Sequence, residues 1–305
     1  MKPKLTVAIL VAVTLAAGLS VLVVARHNLV AAPKPAHTYQ VHGVVRGVNV
    51  GEKTIRIAHE EIPNYMPAMT MSLPVKDPAL LKNVAAGDSV QFELSVTDDD
   101  SWISHIDKIG SDIGATFTKP GPSLEELEAN RLKPGEATPN FSLTDQDGRP
   151  VRLADFRGQA VLLTFIYTRC PLPNFCPLMS KNFADLEQRL RKEFPGKFHL
   201  LSISMDSEFD RPEVLKEYAK HYAADPKDWT FATADAATIR SVADLVGLYF
   251  EKENGLISHD LRTALIGPNG RLVHLWKGNA WEPYEVERRV REALTGSMDV
   301  AVKRG

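Results

Sequence analysis

The chain has 305 residues, 44% hydrophobic and 24% charged, with a net charge of −2. That length can bury one large core or two smaller ones. Acids and bases are mixed along it, which excludes an electrostatic nucleic-acid footprint, and two cysteines in so long a chain exclude a disulfide-stapled scaffold.

Leu5–Ala25 is an uncharged run of about 21 apolar or small residues behind Lys2 and Lys4. The length suits a transmembrane helix, and residues 1–30 are expected to anchor the protein in the membrane with its main body in the periplasm. Val30-Ala31-Ala32 also offers small residues for cleavage of a signal. Ala31–Ala36, with two prolines, follows as an extended spacer.

Residues 38–110 are β-rich. Thr54-Ile55-Arg56-Ile57, Met69–Leu73 and Val90–Leu94 alternate with period two between turn residues, which predicts a small all-β domain, a barrel or sandwich. Residues 111–133, with Lys119-Pro120-Gly121-Pro122 and acids from Glu125 to Glu128, read as a linker. Residues 134–297 then alternate strand and helix. A hairpin over Asn140–Val151 and a buried strand Ala160–Tyr167 come first. A helix Pro177–Phe194 and a second buried strand Phe198–Met205 follow. Asp210 is placed to cap the next helix, with Pro212 in its first turn. Ala236–Leu248 is helical, Thr263–Ile266 and Arg271–Trp276 pair around Pro268-Asn269-Gly270, and Glu282–Leu294 closes the domain. The order is that of a thioredoxin-like α/β domain.

Both cysteines, Cys170 and Cys176, fall between the strand and the helix of this domain, where backbone N–H groups and the helix dipole favour a thiolate. Such a pair can do redox chemistry, as a disulfide, or hold a soft metal. His259 lies in a loop before Thr263–Ile266, whose strand neighbours the cysteine strand in a thioredoxin-like sheet. No proline occurs between Pro226 and Pro268, whereas thioredoxin-type oxidoreductases carry a cis-proline in that loop. An imidazole facing two thiols makes a Cys2His set that suits copper.

Three motifs in order resemble the Sco/SenC family of thioredoxin-like copper proteins. They are Cys170…Cys176-Pro177 after Phe165-Ile166-Tyr167-Thr168, Ser204-Met205-Asp206…Asp210-Arg211-Pro212, and Ser258-His259-Asp260…Gly267-Pro268-Asn269-Gly270. The resemblance implies Cys170, Cys176 and His259 as copper ligands and Asp206 close by, as an accessory or a hydrogen-bonding group. It also implies a role in assembling the copper centre of a respiratory oxidase. The family's usual three residues between the cysteines are five here.

In the β-rich part, His59, Met66, Met69 and Met71 fall within 13 residues. Met69 and Met71 share one strand face, where they either fill a core or present two thioethers to a soft metal. His59 through Met71, with Pro63-Asn64-Tyr65-Met66-Pro67 between, resembles the CusF-like periplasmic copper chaperones, five-stranded OB-like barrels. The resemblance implies His59, Met69 and Met71 as Cu(I) ligands. Met66 stands where those proteins have tryptophan, as an accessory thioether or a hydrophobic lid.

The expected function is therefore a membrane-tethered copper metallochaperone serving a copper-receiving protein, an oxidase subunit, with no nucleic-acid partner. Two alternatives stand: a thiol–disulfide reductase acting on a partner's cysteines, and a periplasmic copper buffer.

Overall fold

A computed structural model describes residues 36–111 and 128–296. The expected membrane anchor and most of the expected linker lie outside the described residues. Among the described residues, no helix is long and apolar enough to cross a membrane.

The first part is all-β. Strands β1 (His37–Asn49), β2 (Thr54–His59), β3 (Met69–Pro74), β4 (Asp88–Val96) and β5 (Ser101–Ser111) pair antiparallel in the order β3-β2-β1-β4-β5. A bridge between Val75 and Ile103 joins the two edges, so the sheet closes into a barrel. The period-two pattern of the strands turns Val45, Ile55, Ile57, Leu73, Phe92 and Leu94 inward, all fully buried. At Gly43, β1 crosses β2 too closely for a side chain. A Cβ there would sit 2.5 Å from Ile57 Cγ2 and 2.7 Å from Ala58 O.

The second part is the thioredoxin-like α/β body. Its strands are β6 (Ser142–Asp145), β7 (Pro150–Arg152), β8 (Ala160–Ile166), β9 (Phe198–Ser204), β10 (Trp229–Thr233), β11 (Phe250–Glu253), β12 (Leu256–His259), β13 (Arg262–Ile266) and β14 (Leu272–Lys277). Its helices are α1 (Cys176–Glu193), α2 (Pro212–His221), α3 (Ala236–Leu245) and α4 (Pro283–Thr295). Seven strands form one sheet in the order β14-β13-β8-β9-β10-β6-β7. β8, β9 and β10 run parallel at its centre. Every residue of these three is buried, as a sheet covered on both faces requires. Trp229, Trp276 and Trp281 are buried, as a core role for them predicts.

One strand was missed and two expectations need correction. Strand β10 was not legible in the sequence, being only five residues long and interrupted by Thr230 and Thr233. His259 is not in a loop: it ends β12, the second strand of a separate hairpin with β11. Asp210 does not cap α2, whose N-cap is Arg211 with no side-chain capping bond. Its buried carboxylate accepts instead from Thr168 N (2.9 Å), Thr168 Oγ1 (2.5 Å) and Ser204 Oγ (2.5 Å), because burial makes nearby donors the only partners for it.

Candidate metal centre

The loop 167–175 carries one cysteine and delivers the other to a helix. Cys176 is the first residue of α1 and fully buried; Cys170 is half-buried in the loop. Both are free thiols. Two anchors fold the five intervening residues back on themselves. At one end, Asp210 holds Thr168. At the other, Asn174 Nδ2 donates to Ser101 O (2.8 Å), and Asn174 Oδ1 accepts from Ser101 Oγ (2.6 Å). The sulfurs of Cys170 and Cys176 and a ring nitrogen of His259 consequently lie within 4.8 Å of one another, despite the long spacing.

His259 reaches this cluster because the β11–β12 hairpin ends beside it. Its Nδ1 lies 2.7 Å from Asp260 O, which assigns the proton to Nδ1 and leaves the Nε2 lone pair facing Cys176 Sγ at 3.6 Å. Tyr167 and Phe175 meet the imidazole edge-on at 5.6 and 5.8 Å and wall off the site. The thiols are electrostatically unequal. Burial works against the Cys170 thiolate, but the neighbouring Cys176 thiol and the polar His259 ring outweigh it and hold the Cys170 pKa well down. Burial and the neighbouring Cys170 push Cys176 well up. Thiolate character thus falls on the loop cysteine rather than on the one at the helix end.

Asp206 is not among the side chains that converge on the cluster. It is buried and spends its carboxylate on Arg169, with Arg169 Nε donating to Oδ2 at 3.2 Å. Arg169 also lies over the Phe209 ring, 4.1 Å from its centroid, so the pair braces the residue next to Cys170.

In the barrel, His59 and Met69 are register partners across β2 and β3, and Ile57 is the partner of Met71. His59 repeats the arrangement of His259: Nδ1 lies 2.6 Å from Glu60 O. Its Nε2 is buried with no hydrogen-bond partner. Burial, partly offset by that backbone contact, lowers the His59 pKa and keeps the ring neutral. A buried, neutral imidazole with an idle lone pair, on the strand pair that carries Met69 and Met71, fits a soft cation, which would relieve the cost of the unpaired atom. Met66 is buried in the barrel core, next to the turn that bridges Ile62 to Met66. Tyr65 stacks on Tyr39 with ring centroids 4.9 Å apart and reaches Pro171 O in the cysteine loop at 3.4 Å.

Sequence reasoning missed the residues that join the two parts, Glu253 and Asn254 above all. The signal was there. Asn254-Gly255 lies between Phe250–Glu253 and Leu256–His259, the dipeptide that a tight hairpin turn favours, and both residues have positive φ (50° and 86°).

Comparison with known proteins agrees with this geometry. Residues 129–295 match the family model described as SCO1/SenC. Residues 38–108 match the one described as copper binding periplasmic protein CusF. The SCO1 protein homolog of Bacillus subtilis is 29% identical over 153 residues, 48% of this chain and 76% of its own length. Peroxiredoxin Bcp of Escherichia coli is 38% identical over 91 residues, 30% of this chain and 53% of its own length. Among solved structures, BsSco, described as a member of the Sco family of cytochrome c oxidase assembly proteins, aligns at 28% identity. The alignment covers 54% of this chain and 97% of BsSco, with a TM-score of 0.48. Copper is the metal in the description of the CusF model, and it is bound in the solved structure of Bradyrhizobium japonicum ScoI, which aligns at 26% identity over 52% of this chain and all of its own, with a TM-score of 0.44. With more than half its length matched by one model, the chain belongs to the SCO1/SenC family, and a CusF domain precedes the matched region.

Proposed function

We propose that this protein is an exported, membrane-tethered copper metallochaperone with two copper sites, which supplies copper for assembly of a cytochrome c oxidase copper centre. Cys170, Cys176 and His259 would hold copper in the α/β body. His59, Met69 and Met71 would hold Cu(I) in the barrel. The observation that carries the reading is the convergence of two free sulfurs and one imidazole nitrogen within 4.8 Å in a walled-off site. Thiolate and imidazole donors in a small closed set suit copper. Export is supported by the apolar run Leu5–Ala25 and by the periplasmic description of the matching CusF model. A recipient in an oxidase is supported by the family's assembly role as described for BsSco.

The test is Cu(I) stoichiometry on the full-length reduced protein. Two coppers per chain are expected, falling to one in Cys170→Ala and to one in His59→Ala; a value of zero in all three sinks the reading.

A second reading is favoured by the unequal thiols. A half-buried cysteine of low pKa beside a buried one of high pKa is the arrangement of a thiol–disulfide reductase. In the metallochaperone reading the same pair alternates between a disulfide and a copper-loading dithiol. Equal copper uptake by oxidised and reduced protein would count against that alternation. Reduction of a model disulfide at the same rate by wild type and Cys170→Ser would remove the reductase reading.

A further inference from the structure

Members of the two candidate ligand sets line one cleft. It measures about 240 Å3, its solvent-facing mouth included, and is lined by Met69 and Met71 from the barrel and by Tyr167, Cys170, Phe175 and His259 from the α/β body. The barrel and the α/β body belong to one compact unit. Met69, Met71 and His259 are 1%, 5% and 4% exposed, whereas Cys170 is half-buried, so the cavity is closed along its methionine and imidazole walls and more open at Cys170.

The contact that closes it is directional. Thr70 N donates to Glu253 Oε2 at 2.6 Å, Asn254 Nδ2 to Ala68 O at 2.6 Å, and Ser72 Oγ to Asp260 Oδ1 at 3.0 Å. The residues Ala68, Thr70 and Ser72 alternate with the two methionines. β3 is therefore pinned along its length to the hairpin that carries His259, and the register of that pinning sets the thioethers against the Cys–His set. A shared docking surface alone would need none of this: soft ligands of both sets, Met69 and Met71 with Cys170 and His259, have been brought to one cleft.

We propose that the chamber is a direct transfer path. Cu(I) held by Met69 and Met71 passes to Cys170, Cys176 and His259 inside the docked protein, without entering solvent. The inference rests on the two-site reading above. In two exchanges a Cu–S(thioether) bond breaks as a Cu–S(thiolate) bond forms, and in a third the bond to His59 Nε2 breaks as one to His259 Nε2 forms; copper stays Cu(I), and each thiol that becomes a ligand gives its proton to water. The direction follows from charge. Thioethers are neutral donors and thiolates anionic ones, and a cation gains more from an anionic donor in a site screened from water.

The experiment follows filling of the thiolate site, by its Cu–thiolate ultraviolet absorption, after reduced full-length protein is mixed anaerobically with Cu(I) bicinchoninate. Met69→Leu/Met71→Leu is expected to slow filling by at least about tenfold while the final affinity of the thiolate site stays within about threefold of wild type. A merely structural role for the methionines would move both together. Glu253→Lys/Asn254→Ala, which loosens the docking without touching a ligand, is expected to make filling insensitive to the same methionine substitutions. Leucine keeps the buried volume, and Met71→Leu alone carries the same test with a smaller factor. Filling at the wild-type rate in the methionine variants overturns the transfer path. Cu(I) titration of Cys170→Ala separates the two failures: no binding there overturns the barrel site and the path together, and binding there with an unchanged filling rate overturns the path alone.

Discussion

His59 and Met69 face each other as register partners across β2 and β3, and the imidazole presents a buried Nε2 that no protein group meets. A neutral ring with an unpaired buried nitrogen weakens the metal-free protein, and a bound cation recovers that loss. At a free Cu(I) concentration a hundred times the dissociation constant, binding at this site stabilises the fold by about 2.7 kcal/mol. His59→Leu removes the idle nitrogen but also the Nδ1–Glu60 O hydrogen bond, so the metal-free unfolding midpoint is expected to stay nearly unchanged while the barrel's part of the copper-induced rise is lost. Circular dichroism melts with and without Cu(I) check both halves.

Gly43 is the register partner of His59 on the other side, where β1 has no room for a methyl group. Gly43→Ala forces β1 away from β2 and displaces His59. The expected cost is about 2 kcal/mol or more, and the barrel's Cu(I) site is lost. Copper binding by the Cys170–Cys176–His259 set is expected to persist, so a Cu(I) titration should fall from two equivalents to one.

Asp210 ties the start of the cysteine loop to β9 through three hydrogen bonds. Asp210→Ala leaves three donors without their acceptor and should cost about 3 kcal/mol. Since Thr168 lies two residues before Cys170, the copper affinity of the thiolate site should fall as well. Asp210→Asn, which keeps one acceptor oxygen, should fall between. Urea unfolding and chelator competition measure the two effects.

The inequality of the thiols predicts an order of modification. Iodoacetamide at neutral pH should alkylate Cys170 first, because it is half-buried with its pKa held down, and leave Cys176 largely intact. Peptide mass mapping over time shows the order, and faster labelling of Cys176 would contradict it.

A pH effect belongs to His199, away from both ligand sets. Its ring is buried against Phe156, with ring centroids 4.0 Å apart, and Nε2 lies 2.8 Å from Thr230 Oγ1. Burial lowers its pKa from 6.5 to about 4, against a smaller opposing effect of the Lys227 backbone. The folded state thus binds fewer protons than the unfolded one between these values. The stability from keeping this ring neutral is complete above pH 6.5 and is lost as pH falls toward 4, by about 3 kcal/mol in all. His199→Leu should flatten that part of the acid dependence, which is visible in urea midpoints at pH 7 and pH 4.5 compared with wild type.

Local pattern made much of this molecule legible. The period-two runs marked β2, β3 and β4, and the apolar strand before Cys170 with the helical spacing after Cys176 located the thiol pair between a strand and a helix. Features set by distant partners were not legible. Nothing near Asp210 says that its carboxylate turns toward Thr168 and Ser204 rather than toward α2. The five residues between the cysteines say nothing of Ser101, some 70 positions earlier, which pins Asn174 and so folds the loop. The pairing of residues 68–72 with 253–260 leaves no local periodicity at all; only the Asn254-Gly255 turn hinted at a hairpin there.

The hydrogen bonds that join Ala68 O, Thr70 N and Ser72 Oγ to the β11–β12 hairpin region carry a consequence for access to the imidazole. Anything that reaches His259 from the side of β3 must first break these three bonds. They act as a latch, and their combined strength sets how often that side of the imidazole opens.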